Sequence, residues 1–145
     1  MLRVLTGLLL AVCVGGAVAD DQAVQKELEK FQGHWIIESV EEKGRKLSSE
    51  EIGDNRLTFT RDKYVQTFNK QMVEEGSIKL DLSRKPAWID LVITSGSDKG
   101  KTQLGIYEFV GETLRICTAR PGEGERPASF DGQKHIIFTL KRDKK

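Results

Sequence analysis

Cysteine is scarce in this sequence, whose 145 residues contain only Cys13 and Cys117. Cys13 lies in an N-terminal segment that has the pattern of a signal peptide, so a mature chain would keep one cysteine. A single cysteine cannot form an intramolecular disulfide, and stability must therefore come from an apolar core. A lone cysteine in a strand-like segment is typical of a small buried side chain, which is what we expect of Cys117.

Histidine is equally scarce, with only His34 and His135. They begin the first and the last of the predicted strands, which would run antiparallel and place the two rings at opposite ends of the fold. We therefore expect no shared metal site. No Ser/His/Asp or Cys/His group can be assembled, so the sequence predicts no catalytic residue, no cofactor and no enzymatic activity. An enzymatic alternative would need a strongly shifted titratable group inside the fold.

Long hydrophobic runs are also missing. The longest, Val4 to Val14, is too short for a transmembrane segment. With Arg3 before it and Ala17-Val18-Ala19 after it, the run predicts a signal peptide over residues 1–19 and export to the periplasm or the extracellular space. A lipoprotein signal ending at Cys13 is the alternative, although the bulky residue before that cysteine disfavours it.

Neither sign of charge is in excess. The whole chain has 23 Lys and Arg against 22 Asp and Glu, and cleavage after residue 19 would remove Arg3 and no acidic residue, leaving 22 against 22. Proteins that bind nucleic acid or anionic membranes usually carry a basic surplus, so neither is expected as a partner. Residues 20–145 are long enough for one ordinary domain, and we expect a monomer.

A short helix followed by strands is the organisation that the sequence predicts. Val24, Leu28 and Phe31 form one apolar stripe on a helix over residues 20–31. From residue 34 the apolar period changes to two, and Gly, Asp, Asn and Pro mark the breaks. The predicted strands cover 34–42, 56–60, 63–69, 72–82, 87–94, 102–110, 112–119 and 134–142. Eight strands joined in a meander predict an all-β, antiparallel up-and-down barrel, with a two-sheet sandwich as the alternative.

The connections of such a meander alternate between its two ends. The predicted helix and three tight turns gather at one end, which we call the base. The long connections 43–55, 95–101 and 120–133 gather at the other end, the mouth. Pairing of the last strand with the first would bring Lys141 or Arg142 beside Trp35 at the base, where a cation can stack on the indole. We therefore assign Gly33, Trp35 and Arg142 to the closed base.

Candidate ligand-binding residues are the aromatic side chains of the strands and the arginines of the last long loop. Phe68, Tyr107 and Phe109 are candidates for the lining of an internal cavity, although a barrel of this size can equally be filled by side chains. Arg120 and Arg126 lie in a loop rich in Gly and Pro. That loop is either a lid whose arginines face an acidic ligand or an irregular, salt-bridged turn.

A family resemblance is carried by several stretches in order. Gly33-His34-Trp35, with a basic residue ending the last strand, resembles the entry of a lipocalin or calycin barrel. The chain is also similar to a lipocalin-like domain family of unknown function that is abundant in planctomycete bacteria. The matching stretches are Leu28-x-x-Phe31-Gln32-Gly33-x-Trp35, Lys99-Gly100-Lys101-Thr102-x-Leu104-Gly105-Ile106-Tyr107, Leu114-x-Ile116-Cys117 and Glu125-Arg126-Pro127-x-x-Phe130. His34 departs from the pattern, in which a small residue is expected. The resemblance implies the barrel and export, and it implies no activity or ligand.

Two functions remain open at this point. An exported barrel could bind a small, largely apolar molecule in its interior. Alternatively, it could be a protein-interaction or inhibitory module that uses the long-loop rim, for which a contiguous exposed apolar patch at the rim would be evidence.

Overall fold

The computed structural model describes residues 16–144, with side chains from residue 21 onward. The proposed signal peptide and Cys13 lie outside the described residues, except for the backbone of residues 16–19. Within the described range no helix is both long and apolar enough to cross a membrane. The elements in chain order are α1 (Gly16–Phe31), β1 (Gly33–Glu42), β2 (Arg45–Lys46), α2 (Ser49–Ile52), β3 (Asn55–Thr60), β4 (Lys63–Phe68), β5 (Gln71–Asp81), β6 (Ala87–Gly96), β7 (Thr102–Val110), β8 (Thr113–Thr118) and β9 (Ile136–Arg142).

A closed antiparallel barrel of eight strands forms the body of the protein. Strands β1 and β3 to β9 each pair with their neighbours in sequence, and β9 pairs back onto β1 from Glu42↔Ile136 to Trp35↔Arg142. This last pairing removes both sheet edges and excludes the two-sheet sandwich. The remaining strand, β2, is a two-residue extension that pairs only with the mouth end of β1.

The predicted strands agree with the observed ones to within two residues at every end. The prediction was incomplete in the connection 43–55, which contains β2 and α2. Helix α2 has a capping box: the Ser48 hydroxyl accepts from the Glu51 backbone N–H, and the Glu51 carboxylate accepts from the Ser48 backbone N–H. The pattern Ser-x-x-Glu is the local signal for this turn of helix.

Helix α1 closes the base of the barrel. Its last residue, Phe31, is completely buried and makes edge-to-face contacts with Phe59, Tyr107 and Phe109 at ring-centre distances of 5.1–5.4 Å. Such aromatic contacts add to the stabilisation from burial. The interior of the base half is therefore filled by side chains, although an open groove lies between α1 and β5 at its edge.

The connection between β8 and β9, residues 119–135, lies against the outer wall of the barrel, and we call it the strap. Under it Ile106, Cys117 and Ile137 form a second apolar cluster, against which Trp88 and Phe130 pack. Strands β7 to β9 consequently bury side chains on both faces, one set inside the barrel and one set under the strap.

Candidate functional site

A cavity of about 60 Å³ lies in the mouth half of the barrel. Five aliphatic or aromatic side chains form the apolar part of its lining: Ile37, Leu57, Leu91, Ile116 and Phe138. Five polar side chains complete it: Tyr64, Gln66, Glu74, Gln103 and Thr118. The polar set comes from four strands, β4, β5, β7 and β8, so the barrel's curvature brings together residues that are far apart in sequence.

Hydrogen bonds fix the polar side chains of this cavity. The Tyr64 hydroxyl donates to Glu74 Oε2 at 2.9 Å. The Gln103 amide nitrogen donates to Thr118 Oγ1 at 2.8 Å and to the Ala119 carbonyl at 3.0 Å. Gln66 Nε2 donates to Asn55 Oδ1 at 2.9 Å. These bonds hold the polar groups in fixed orientations before any ligand arrives.

Glu74 is the only charged side chain in the lining. Burial raises the pKa of its carboxyl above the ordinary value, the hydrogen bond from Tyr64 opposes this, and the carboxylate of Asp98 raises it further. Burial likewise raises the pKa of Tyr64, with a smaller contribution from Glu74. None of the ion pairs found among residues 21–144 involves Glu74. The site therefore holds a half-buried carboxylate with no basic partner.

The three aromatic residues that we predicted to contact a ligand lie outside this cavity, and their contact with a ligand stays a prediction. Tyr107 is 3% exposed in the base, where its hydroxyl donates to Glu27 of α1 at 3.1 Å, and Phe109 packs against Trp35 at a ring-centre distance of 6.3 Å. Phe68 is at the rim with 38% exposure, its ring against the backbone of Gly53. None of the three lines the cavity.

The two arginines of the strap do not face the cavity either. Arg126 turns to the outer wall: its guanidinium donates to the Gly105 carbonyl at 2.8 Å and stacks over the Trp88 ring at 4.1 Å. Its Nη1 is also 2.7 Å from the buried Asp90 Oδ1, a charge contact and not a well-aligned hydrogen bond. Arg120 pairs with Glu42 at 2.8 Å on the exposed rim. The strap is thus the salt-bridged alternative and not a lid over the mouth.

The three residues assigned to the base lie together there. Trp35 is 1% exposed and its indole N–H donates to the Phe31 carbonyl at 2.6 Å. Arg142 is its cross-strand partner, with the guanidinium 4.4 Å from the centre of the ring. Gly33 adopts a φ of +107°, and a Cβ there would lie 3.5 Å from the Arg142 guanidinium. A β-carbon would be strained by this backbone conformation, which is the physical reason for glycine.

Metal and thiol chemistry find no support in the described part of the chain. Among residues 21–144 no group of three or more His, Cys, Asp or Glu side chains could hold a metal ion. The Cys117 thiol is fully buried under the strap, 3.7 Å from the Ser129 carbonyl, and burial raises its pKa. A thiol in this setting is a poor nucleophile.

Sequence reasoning missed the polar residues of the cavity, although the signal was present. Side chains two residues apart on a strand share a face. Ile78 points inward, so Glu74, four residues earlier on β5, lies on the same inner face. By the same alternation, the inward-pointing Ile116 places Thr118 on the inner face of β8. The inward-pointing Tyr107 likewise places Gln103 on the inner face of β7. Continuing each apolar alternation toward the mouth would have identified them.

The chain was also compared with known proteins. No family model matches it, and no curated protein matches it significantly.

Proposed function

We propose that this protein binds a small ligand in the mouth cavity. The observation that carries the proposal is the contrast between the two halves of the barrel: side chains fill the base, whereas the mouth half retains about 60 Å³. Protein interiors are close-packed and rarely contain voids larger than one water molecule. This space has room for about four or five water-sized groups and is lined by oriented polar side chains, as a binding site requires.

The dimensions of the cavity restrict the ligand. Sites for drug-sized molecules are typically about 300–1,000 Å³, so only a small molecule or the end of a longer one fits here. The aliphatic and aromatic lining favours an apolar body, and Glu74 and Gln103 favour a polar group at one end. The ligand in this proposal is smaller and more polar at one end than the largely apolar molecule that the sequence suggested.

The wider biological setting is part of the same proposal. We propose an exported, lipocalin-like binding protein without enzymatic activity. The signal-peptide pattern of residues 1–19 supports export, and the Gly33-x-Trp35 entry with barrel closure through Arg142 supports the likeness to lipocalins. A binding role is favoured over catalysis because the lining contains no histidine, cysteine or serine from which a nucleophilic triad could be built. Tyr64 lies beside the Glu74 carboxylate, but burial raises the pKa of its phenol and so disfavours the reactive phenolate.

Native mass spectrometry of the protein purified from its own host tests the binding role. A stoichiometric non-covalent adduct is expected, and it should be lost when Leu91→Phe fills the cavity. Val110→Phe is the matched control, since Val110 is 56% exposed and far from the lining. Reproducible absence of any adduct on the parent protein, or an adduct that survives Leu91→Phe, would count against the proposal.

A second candidate function rests on a different surface. Phe68, Met72 and Val73 are 38%, 52% and 43% exposed and belong to the β4–β5 hairpin at the rim. Clustered exposed apolar side chains can mark a protein-interaction site, so an interaction module is the alternative. Co-purification from the native host, compared between the parent protein and a Met72→Lys, Val73→Lys variant, tests it. A stoichiometric partner lost only from the variant would support this alternative, and equal recovery would oppose it.

A further inference from the structure

The hydrogen-bonding capacity that remains in the mouth cavity is dominated by acceptors. The Ala119 carbonyl can only accept, so the Gln103 group that faces it must be the amide nitrogen. Both hydrogens of that nitrogen are then used, one on Ala119 and one on Thr118 Oγ1, and the amide oxygen of Gln103 remains as an acceptor. A ligand that contacts this side of the cavity must therefore supply hydrogen-bond donors.

Glu74 adds a second acceptor, and a charged one. One carboxylate oxygen accepts from Tyr64, which spends the only hydrogen of the phenol, so the Tyr64 oxygen can now only accept. The other carboxylate oxygen, Oε1, makes no hydrogen bond or ion pair within residues 21–144. Glu74 is half-buried, and an ionised carboxylate in such a place is costly unless a cation or several donors compensate it.

The surroundings of Glu74 do not supply that compensation. The cavity lining contains no Lys, Arg or His. The charged group that acts on the carboxyl is another carboxylate, Asp98, and the Lys101 ammonium lies 3.1 Å from Asp98 in an ion pair of its own. The electrostatic field in the cavity therefore favours a positive charge.

We infer that the ligand of this cavity is a protonated primary amine on a short apolar body, with its ammonium group on Glu74 and its carbon chain against the aliphatic lining. An ammonium group carries three donors and no acceptor, which matches what Glu74, Gln103 and Tyr64 leave open. A hydrogen bond between two charged groups is also stronger than one between neutral groups. The inference rests on the binding role proposed above and assigns its ligand class.

Four probes with the same carbon chain length test the charge and donor requirement. Butylamine, butan-1-ol, butyramide and butanoate each have a size suited to room for about four or five water-sized groups. Binding is measured at neutral pH by ¹H–¹⁵N NMR titration, with the side-chain amides of Gln66 and Gln103 as reporters. We expect butylamine to bind at least about tenfold more tightly than butan-1-ol, because an ammonium group adds its own charge and two further donors to the single donor of a hydroxyl. Butanoate should not bind.

Variants of Glu74 and of its neighbour assign the effect to one carboxylate. Glu74→Gln is isosteric and should reduce butylamine affinity to that of butan-1-ol. Glu75→Gln is the matched control: adjacent strand residues point to opposite faces, and Glu75 does not line the cavity. Glu74→Asp keeps a negative charge in the cavity and should keep a preference for the amine over the alcohol. The comparison of the four probes on the parent protein tests the inference even where Glu74→Gln folds poorly.

The possible outcomes separate the inference from the binding role beneath it. Butan-1-ol, butyramide or butanoate binding as well as butylamine would overturn the amine assignment and leave the binding role standing. An amine preference that persists in Glu74→Gln would overturn it as well. If none of the four probes shifts the amide resonances of Gln66 and Gln103, that result would count against the binding role itself.

Discussion

The guanidinium carbon of Arg142 lies 4.4 Å from the centre of the Trp35 indole ring, across the strand pair that closes the barrel. The same guanidinium donates to the carbonyls of Lys30 and Gln32 at 2.5 and 2.7 Å, at the C-terminal end of α1. A positive charge at this end of a helix is favourable because the last carbonyls carry partial negative charge. One side chain of the last strand thus joins the first strand to the helix that fills the base.

Arg142→Leu should therefore destabilise both the helix and the closure of the barrel. The change removes two hydrogen bonds to carbonyls and the contact with Trp35, and we expect a loss of about 1–3 kcal/mol in the free energy of unfolding. Urea denaturation measures the loss, and hydrogen exchange should show faster exchange in α1. Lys141→Leu is the matched control, because Lys141 makes only an exposed ion pair with Glu38 and should change stability little. Equal effects of the two substitutions would contradict the role given to Arg142.

Arg126→Leu should loosen the strap and expose Cys117. Arg126 connects the strap to the outer wall through Asp90, Trp88 and the Gly105 carbonyl, and the thiol is fully buried beneath. We expect a thiol reagent to label Cys117 at least about tenfold faster, since opening becomes easier by more than about 1.4 kcal/mol. Arg120→Leu is the control, because this arginine makes only a rim ion pair. Unchanged labelling in Arg126→Leu would show that other contacts hold the strap.

Gly76→Ala should damage the wall of the cavity. A Cβ at this position would lie 2.4 Å from the Val92 carbonyl oxygen and 2.6 Å from the Tyr64 ring, so both neighbours would have to move. Overpacking of this kind costs about 1–3 kcal/mol. Thermal or urea unfolding measures the cost. At Gly124 a Cβ would meet nothing within 4 Å, and Gly124→Ala should therefore unfold like the parent. A Gly76→Ala variant as stable as the parent would contradict the packing described here.

Glu74→Gln should stabilise the protein at neutral pH and have little effect in acid. Burial raises the pKa of the Glu74 carboxyl in the folded protein, so the folded state holds this proton more tightly than the unfolded state does. Below about pH 4 the carboxyl is protonated in the folded and the unfolded state, and its contribution to the stability of the folded protein is fully present. As the pH rises through the unfolded and then the folded pKa, ionisation in the cavity lowers stability, a cost that glutamine avoids.

Unfolding temperatures of the parent and the variant across this pH range test the sign. The difference between them should grow from acid to neutral pH. Glu75→Gln, on the neighbouring residue, should show no such growth. A parent protein that is the more stable of the two at neutral pH would mean that Glu74 is compensated in a way that the cavity geometry does not provide.

The fold was accessible from the sequence because strand alternation is a local property. Apolar side chains two residues apart, such as Ile89 and Leu91, predict a strand wherever one face is buried, and Gly, Asn and Pro mark the turns between strands. The pairing of the first and last strands followed from the even number of strands, and with it the position of Arg142 beside Trp35. Each of these inferences needed only neighbours in sequence and a closed sheet.

The contents of the barrel were not accessible in the same way. Tyr107 and Phe109 are aromatic and on the correct strand, yet Phe31 of α1 packs against both rings and the base is filled. Arg126 lies in a loop whose composition is typical of ligand-binding loops, yet the strap packs against the outer wall, where Arg126 stacks over Trp88. Which side chains meet at one height of a barrel depends on strand register and on what covers each face, and these are relations between distant segments.

The sequence by itself determined the eight strands, their order and the closed base at Gly33-His34-Trp35, because periodicity and turn residues act over a few neighbouring positions. Only the tertiary structure decided that the cavity lies in the mouth half and that Glu74 is its one charged residue. Burial, hydrogen-bond partners and the field of nearby charges are set by groups contributed from all eight strands of the barrel. The chemistry of the site therefore emerges only when the barrel is closed.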